Sequence, residues 1–136
     1  MAAAKLATTA LFLVLAVSQA SASAGMICGG LDEKDVYVEM NLPRSSGSPP
    51  TWVRAGVPGA AFSTLGMDAD ATQLYVKQAF DDGRTFNIDL AEGTVDEPAI
   101  KIRLLIAEEG DMPPVYIGYL HVVGRGIYPI SCQEDE

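Results

Sequence analysis

The sequence has few of the side chains that most catalytic and metal sites require. Of its 136 residues, one is histidine and two are cysteine. A single histidine excludes a zinc site built from several histidines, and Cys28 and Cys132 are too far apart for a Cys-x-x-Cys redox motif. Serine catalysis needs a base beside the serine, so a histidine-based site would have to use His121. We therefore expect no catalytic, metal-binding or cofactor-binding residues.

Long hydrophobic runs are absent except near the N-terminus. The unbroken apolar run over 10–17 is shorter than the roughly 20 residues that span a bilayer. It follows a short head containing Lys5 and precedes a string of alanines and serines, which is the layout of a cleaved secretory signal. We predict a signal peptide over 1–24, cut after Ala24 or, as second choice, after Ala22. The mature protein is then periplasmic or secreted and has no membrane span.

The two cysteines bracket almost the whole mature chain. Ile27 directly precedes Cys28 and is too bulky for a lipoprotein cleavage site, so that cysteine is available for another bond. In an oxidising compartment an even pair is expected to form a disulfide, the alternative being two free redox thiols. Closing a loop of this size stabilises by about 4–5 kcal/mol in the chain-entropy model. We predict that a Cys28–Cys132 disulfide ties the ends of the domain together.

The charge of the chain is strongly acidic. There are 9 basic and 18 acidic residues, a formal net charge of −9, and losing Lys5 with the signal peptide makes it −10. A surface of this sign repels nucleic acid and anionic lipid, because lysine and arginine are what neutralise phosphate. It is compatible with a basic partner, or with solubility alone. The last residues, 133–136, form an acidic tail that we expect to be disordered.

Alternation of apolar and polar residues predicts strands, and no segment of the mature chain favours a helix. We expect strands at 36–42, 51–57, 60–65, 73–80, 85–90, 100–106, 115–123 and 127–132. The sequence thus predicts a single mainly β domain over 25–132. Its fold class is a small antiparallel β-sandwich or β-barrel of seven to eight short strands, with its ends tied by the disulfide.

Turn and strand residues refine this prediction at three points. Asp82-Gly83 between two alternating segments predicts a tight hairpin. Gly118 within a strand predicts a bulge or a close approach of another backbone. Pro129 lacks an N–H group, so we expect the last strand at an edge of the sheet.

Candidate binding residues are few. Trp52, the only tryptophan, lies near Arg54 after a proline-rich loop, and the two are our candidate binding surface. Asp68 and Asp70 resemble part of a Ca²⁺ loop but lack its full ligand pattern. The acidic run Glu108-Glu109, with Asp111, is typical of a solvated loop, although paired carboxylates also perform glycoside hydrolysis.

The layout, rather than any motif, resembles that of the small periplasmic lysozyme inhibitors. That family has an antiparallel barrel whose first and last strands are tied by cysteines, as Cys28 and Cys132 would tie these. The family's Ser-Gly-x-x-Tyr inhibitory loop has no counterpart, because Ser46-Gly47-Ser48-Pro49 does not continue to a tyrosine. Our leading hypothesis is an exported, non-enzymatic binding module for an unknown protein or cell-envelope component. The alternatives are an enzyme inhibitor of that kind, a carboxylate-dependent hydrolase and a subunit of a surface assembly.

Overall fold

The computed structural model describes residues 23–43 and 48–135, and every regular element among them is a β-strand. Of the predicted signal peptide, only Ser23 and Ala24 lie within the described residues. Ten strands are present: β1 (Ser23–Gly30), β2 (Tyr37–Pro43), β3 (Val53–Val57), β4 (Ala60–Ser63), β5 (Thr72–Gln73), β6 (Tyr75–Asp81), β7 (Thr85–Ala91), β8 (Ile100–Ala107), β9 (Val115–Val122) and β10 (Gly126–Asp135). The mainly β fold is confirmed, with somewhat more strands than the seven or eight predicted.

The ten strands form one sheet that curls into a nearly closed barrel. Their order is β5-β4-β3-β2-β1-β10-β9-β8-β7-β6, so the edges of the sheet are β5 and β6. Only Leu74 separates these two strands in the chain. Leu74 is fully buried, and its N–H donates to the carbonyl of Ser63 at 2.8 Å. Chain continuity therefore brings the two edges of the sheet together, which is the geometry of a barrel rather than of a sandwich.

The barrel consists of two consecutive halves. The N-terminal half contains β1–β5 and the C-terminal half contains β6–β10, and within each half neighbouring strands in the chain are neighbours in the sheet. All pairs are antiparallel except the short β4–β5 pair. The halves meet where β1 pairs with β10, and there Cys28 lies directly opposite Cys132. The predicted disulfide is present, with a Cα–Cα distance of 3.9 Å and a sequence separation of 104 between the cysteines.

Strand alternation fills the interior with apolar side chains. On β7 and β8 every second residue points inward, and the side chains from Phe86 to Leu90 and from Ile100 to Leu104 in this phase are 0–4 % exposed. Burying a large aliphatic or aromatic side chain contributes about 1.5–3 kcal/mol. The largest buried side chains are those of Met26, Met40, Leu74, Ile88, Leu90, Ile100, Ile102, Leu104, Leu120 and Ile130. The packed interior leaves the outer surface of the barrel as the place to look for a binding site.

Strand β1 was not predicted, because glycines weaken its strand propensity. Gly25, Gly29 and Gly30 account for three of its eight residues. It forms nevertheless because β2 and β10 pair with it on both sides and Met26 is buried. The strand begins at Ser23, between the two predicted cleavage positions. A cut after Ala22 would keep the strand whole, whereas a cut after Ala24 would remove two of its paired residues.

Strand β10 differs from its prediction as an edge strand. It is not an edge strand, since it lies between β1 and β9. Pro129 is tolerated because its carbonyl accepts from Leu31 N–H at 3.0 Å, just past the end of β1. A strand residue points its N and C=O to the same side, so the proline nitrogen faces a position that has no strand neighbour.

The acidic C-terminal segment also differs from its prediction. Residues 133–135, expected in a disordered tail, continue β10 and pair with Gly25, Met26 and Ile27 of β1. The Tyr116 hydroxyl donates to Glu134 Oε1 at 2.7 Å. Burial, and then the nearby Glu134, raises the pKa of Tyr116. The unpredicted strand β1 thus explains why the tail is ordered as far as Asp135.

The two predictions at glycines are confirmed. Gly83 has a φ of 81° in the turn between β6 and β7, and the Asp82 carboxylate accepts from the N–H groups of Arg84 and Thr85. At Gly118 a Cβ atom would overlap the backbone carbonyl of Arg103. Strands β8 and β9 therefore approach each other at a point where only glycine fits.

Candidate functional site

The two residues of the candidate binding surface lie together on the outside of the N-terminal half. Arg54 is an outward residue of β3, and Trp52 directly precedes that strand. The Arg54 guanidinium carbon is 5.8 Å from the centroid of the Trp52 ring. This is the range of a cation–π contact. The structure therefore shows that the two side chains are in contact, while their role in binding stays a prediction.

Arg54 also anchors the segment that connects β4 to β5, which we call the crossover segment (64–71). Its Nε donates to Asp68 Oδ2 at 3.0 Å, and its Nη2 donates to Asp68 Oδ1 at 3.2 Å. Hydrogen bonding by Ser63, and then by Arg54, lowers the pKa of Asp68. Two parallel hydrogen bonds fix geometry better than one. Arg54 therefore holds the crossover segment against the outer face of β3.

The crossover segment turns this outer face into a groove. One cavity of about 590 Å³ lies between it and β2, β3 and β4, and a second of about 520 Å³ continues from it toward Arg125. Both have the size of ordinary ligand clefts. We call the two cavities together the charged groove; its polar and aromatic lining includes Tyr37, Glu39, Arg54, Asp68, Asp70 and Arg125.

Tyr37 forms the floor that the two cavities share. It lies directly opposite Gly56 in the β2–β3 register. A Cβ atom at Gly56 would overlap the Tyr37 ring, so the ring lies flat against the glycine backbone. Aromatic side chains often cover a cross-strand glycine in this way. Tyr37 as a whole residue remains 39 % exposed, and it lines both cavities of the groove.

The charged groove carries an excess of negative charge. Three carboxylates, those of Glu39, Asp68 and Asp70, line the larger cavity together with one guanidinium, that of Arg54. Within residues 23–43 and 48–135, neither Glu39 nor Asp70 forms an ion pair. An aromatic face between free carboxylates suits a cationic group, through cation–π attraction and charge-assisted hydrogen bonds.

The other residues considered from the sequence lie elsewhere. His121 is on the outside of β9, between Ile127 of β10 and Lys101 of β8. The acidic residues at 108, 109 and 111 are exposed in the connection between β8 and β9. In the described ranges, no three histidine, cysteine or acidic side chains are grouped so that they could hold a metal ion. The same ranges contain no helix long and apolar enough to cross a membrane.

The shifted pKa values give no support to the hydrolase alternative. A carboxylic acid that donates a proton in glycoside hydrolysis needs a raised pKa. Among the described carboxyl groups with a resolved shift, Asp68 and Asp82, the pKa is lowered in both. Asp82 owes its shift to backbone hydrogen bonds from Thr85 and Arg84 in the hairpin turn. Both groups are held as anions by their partners.

Sequence reasoning found one side of the charged groove and missed the other. Trp52 and Arg54 stood out as an aromatic and a cation beside a loop. Tyr37 and Glu39 are outward residues of a predicted strand, so their exposure could have been inferred. That the crossover segment packs beside them depends on the barrel closing at Leu74, for which the sequence has no local signal.

Comparison with known proteins adds no assignment: the chain matches no protein-family model, no curated protein and no solved structure.

Proposed function

We propose that this protein is an exported, non-enzymatic binding module that recognises a basic protein in the periplasm or extracellular space. The charged groove receives a lysine or arginine side chain of the partner. The observation that carries the proposal is the Tyr37 ring, which lies open in the groove with the free carboxylates of Glu39 and Asp70 beside it. The negative groove favours a cation, and its polar lining disfavours an apolar ligand.

The charge of the whole chain supports the same partner. A formal net charge of −9 over the full sequence attracts a basic protein over several ångströms before contact. Attraction of this kind raises association rates and falls as salt is added. The bidentate Arg54–Asp68 pair keeps the crossover segment in place, so the groove exists before the partner binds. A preformed site loses less entropy on binding.

An enzyme inhibitor is the second candidate, and one feature of the fold favours it. The first and last strands are tied by Cys28–Cys132, as in the layout of the periplasmic lysozyme inhibitors. An inhibitor of a basic envelope enzyme would be a special case of the binding module proposed above. Addition of the protein to a lysozyme assay tests it: inhibition that Glu39→Gln abolishes would establish this case, and unchanged activity would reject it for that enzyme.

The proposed site can be tested with a lysine- and arginine-rich peptide as probe. Trp52, the only tryptophan, stacks on Arg54 beside the groove, so its fluorescence reports occupancy. We expect the double variant Glu39→Gln/Asp70→Asn to bind the peptide about ten-fold or more weakly, because two charge-assisted contacts are lost. Salt should weaken binding to the native protein.

A matched control separates the site from general charge. Glu108→Gln/Asp111→Asn removes the same two charges from an exposed loop outside the groove. It should bind the peptide nearly as well as the native protein. Equal losses in both double variants, or peptide binding that leaves Trp52 fluorescence unchanged, would show that the groove is not the site.

A further inference from the structure

The outside of the barrel has a second distinctive surface, which adjoins the charged groove along β1, where Gly29 lies opposite Tyr37 and Ile27 lies opposite Glu39. We call it the acid-free face. It contains the outward side chains of β8, of β9, of β10 as far as Gln133, and of the adjoining part of β1. They are Lys101, Arg103, Leu105, Ala107, Val115, Ile117, Tyr119, His121, Ile127, Pro129, Ser131, Gln133, Ile27 and Gly29. The face lacks a carboxylate although acidic residues outnumber basic ones 18 to 9 in the sequence.

Large apolar side chains on this face are exposed. Leu105 is 64 % exposed, Ile127 is 63 % exposed and Ile117 is 51 % exposed. Outward positions of a one-sided antiparallel sheet are normally polar. A contiguous exposed apolar patch on a small protein marks an interaction surface.

The outward side chains of this face are small on one side and large on the other. In one row across four strands the residues are Gly29, Ser131, Ile117 and Leu105. Gly29 and Ser131 line a depression of about 330 Å³ above the disulfide. Ile117 and Leu105 stand beside the depression as a ridge. The row therefore has the pattern small, small, large, large.

We propose that a second copy of this chain packs on the acid-free face, related by a two-fold axis that runs parallel to the strands between β9 and β10. This axis places the ridge of one copy in the depression of the other, so that Ile117 lies over Ser131 and beside Gly29. The same operation places Tyr119 over Pro129 in the next row. A closed two-fold interface has to be self-complementary. Here the ridge of each copy lies in the depression of the other, so the same contact occurs twice.

Charge also favours a second copy at this face. Two molecules of this acidity repel each other, so a stable contact has to exclude carboxylates from its centre. The nearest outward carboxylate on these strands is that of Asp135, at the end of β10. On the neighbouring strands, Asp89 of β7 is held by Arg103 at 2.7 Å, and Glu39 of β2 lies opposite Ile27 at the rim of the face. The acid-free face therefore lets two copies touch at β9 and β10 without carboxylates at the centre of the contact.

The size of the face predicts a weak dimer. Because a barrel is convex, contact is concentrated on β9, β10 and their immediate neighbours. Strand spacings of about 4.8 Å and row spacings of about 6.8 Å then give a total buried area of about 800 Å². Specific interfaces start near about 1,000 Å², so association should appear only at high concentration. Added salt should strengthen it by screening the repulsion between the two acidic bodies.

Sedimentation equilibrium of the mature protein up to about 300 µM, a range suited to weak association, tests the proposal. We expect a reversible monomer–dimer equilibrium that shifts toward dimer in about 0.5 M salt, because the Debye length falls from about 30 Å at 0.01 M to less than about 8 Å. Ile117→Asp should weaken the dimer about ten-fold or more, since it buries a charge. Phe80→Asp on β6, where the native side chain is 50 % exposed, is the control and should leave the dimer unchanged.

A complementary pair of variants tests the geometry itself. A Cβ atom at Gly29 meets nothing within 4 Å, so Gly29→Val should fold normally and fill the depression. We expect it to weaken the dimer, and Gly29→Val/Ile117→Ala to recover much of the loss by trimming the opposed ridge. A protein that stays monomeric over this range, or a dimer that Phe80→Asp disrupts as strongly as Ile117→Asp, would overturn the proposal. Neither outcome bears on peptide binding in the charged groove.

Discussion

On the N-terminal half of the barrel, the outward residues of β2 and β3 line a charged groove, whereas on the C-terminal half those of β9 and β10 include large exposed apolar side chains. Both halves send their alternate residues into one common core. Tyr37 and Glu39 lie beside the crossover segment, which contributes Asp68 and Asp70 to the groove. The outward residues of β9 remain uncovered.

This contrast shows which part of the chain determines each surface. Alternation within a strand fixes which residues are inside, and it works equally in both halves. The outside of the N-terminal half depends on a connection that packs along the barrel wall, held by Arg54 and Asp68. The outside of the C-terminal half depends only on strand sequence. We therefore assign a basic partner to the first surface and a second copy to the other.

The largest expected effect comes from cutting the connection between the two halves. Cys28→Ala/Cys132→Ala removes the bond at the β1–β10 pair, which joins cysteines at a sequence separation of 104. We expect a loss of about 4–5 kcal/mol in the free energy of unfolding, from the larger entropy of the unfolded chain. Urea denaturation of the double variant and of the native protein, both in non-reducing buffer, measures it. Coincident denaturation curves would show that the disulfide adds nothing to the stability of the barrel.

Replacing single glycines by alanine compares how well the strands of the two halves tolerate an added methyl group. Gly118→Ala on β9 drives a Cβ into the Arg103 backbone, which cannot move aside, so we expect a loss of about 2–3 kcal/mol. For Gly56→Ala on β3 the nearest atoms belong to the Tyr37 ring, which can swing away at a lower cost and thereby open the floor of the groove. Thermal unfolding gives the order of stability. The explanation fails if Gly118→Ala is as stable as the native protein.

Gly29→Ala is the matched control for that series. It lies in a strand like the other two, but its Cβ would meet no atom within 4 Å. Alanine restricts the unfolded chain more than glycine does, so its stability should equal or slightly exceed that of the native protein. A large loss at Gly29 would mean that any side chain in these strands is harmful, and the contrast between close and open positions would not hold.

The sequence predicted the parts of this fold that depend on local pattern. The hairpin at Gly83, the disulfide and most strands follow from alternation, turn residues and cysteine count. Strand β1 was missed because its glycines obscure the alternation of apolar and polar residues. The segment forms a strand because β2 and β10 pair with it on both sides. The edge assigned from Pro129 was wrong because the end of β1 leaves the proline without a strand neighbour on that side.

The candidate site was predictable to a smaller extent. Trp52 and Arg54 attract attention as residue types, and they do lie together. The contact of Arg54 with the crossover segment requires Leu74 to bring β5 and β6 together at the edges of the sheet. The acid-free face required the register of four strands, since Gly29 and Leu105 are 76 positions apart in the sequence but belong to one row. Long-range register of this kind cannot be read from any single segment.

The smallest expected effect distinguishes the two surfaces by pH. Hydrogen bonds from Ser63 and Arg54 lower the pKa of Asp68 below its usual 3.8, so the folded state favours the carboxylate. The stabilisation is therefore complete above pH 3.8 and is lost as pH falls through the lowered pKa of the folded protein. Amides of the crossover segment, such as that of Ala71, should then exchange faster with solvent.

Hydrogen exchange at a series of pH values below 5, corrected for intrinsic rates, measures this loss. In Asp68→Asn the extra acid sensitivity of the crossover segment should be absent, because no group at that position titrates. Amides of β9 and β10 behind the acid-free face should keep their protection until the whole barrel unfolds, since no carboxylate of that face is being protonated. If the crossover segment and these strands lost protection together at every pH, the Arg54–Asp68 pair would not control a separate local opening. The crossover segment would then open only when the whole barrel unfolds.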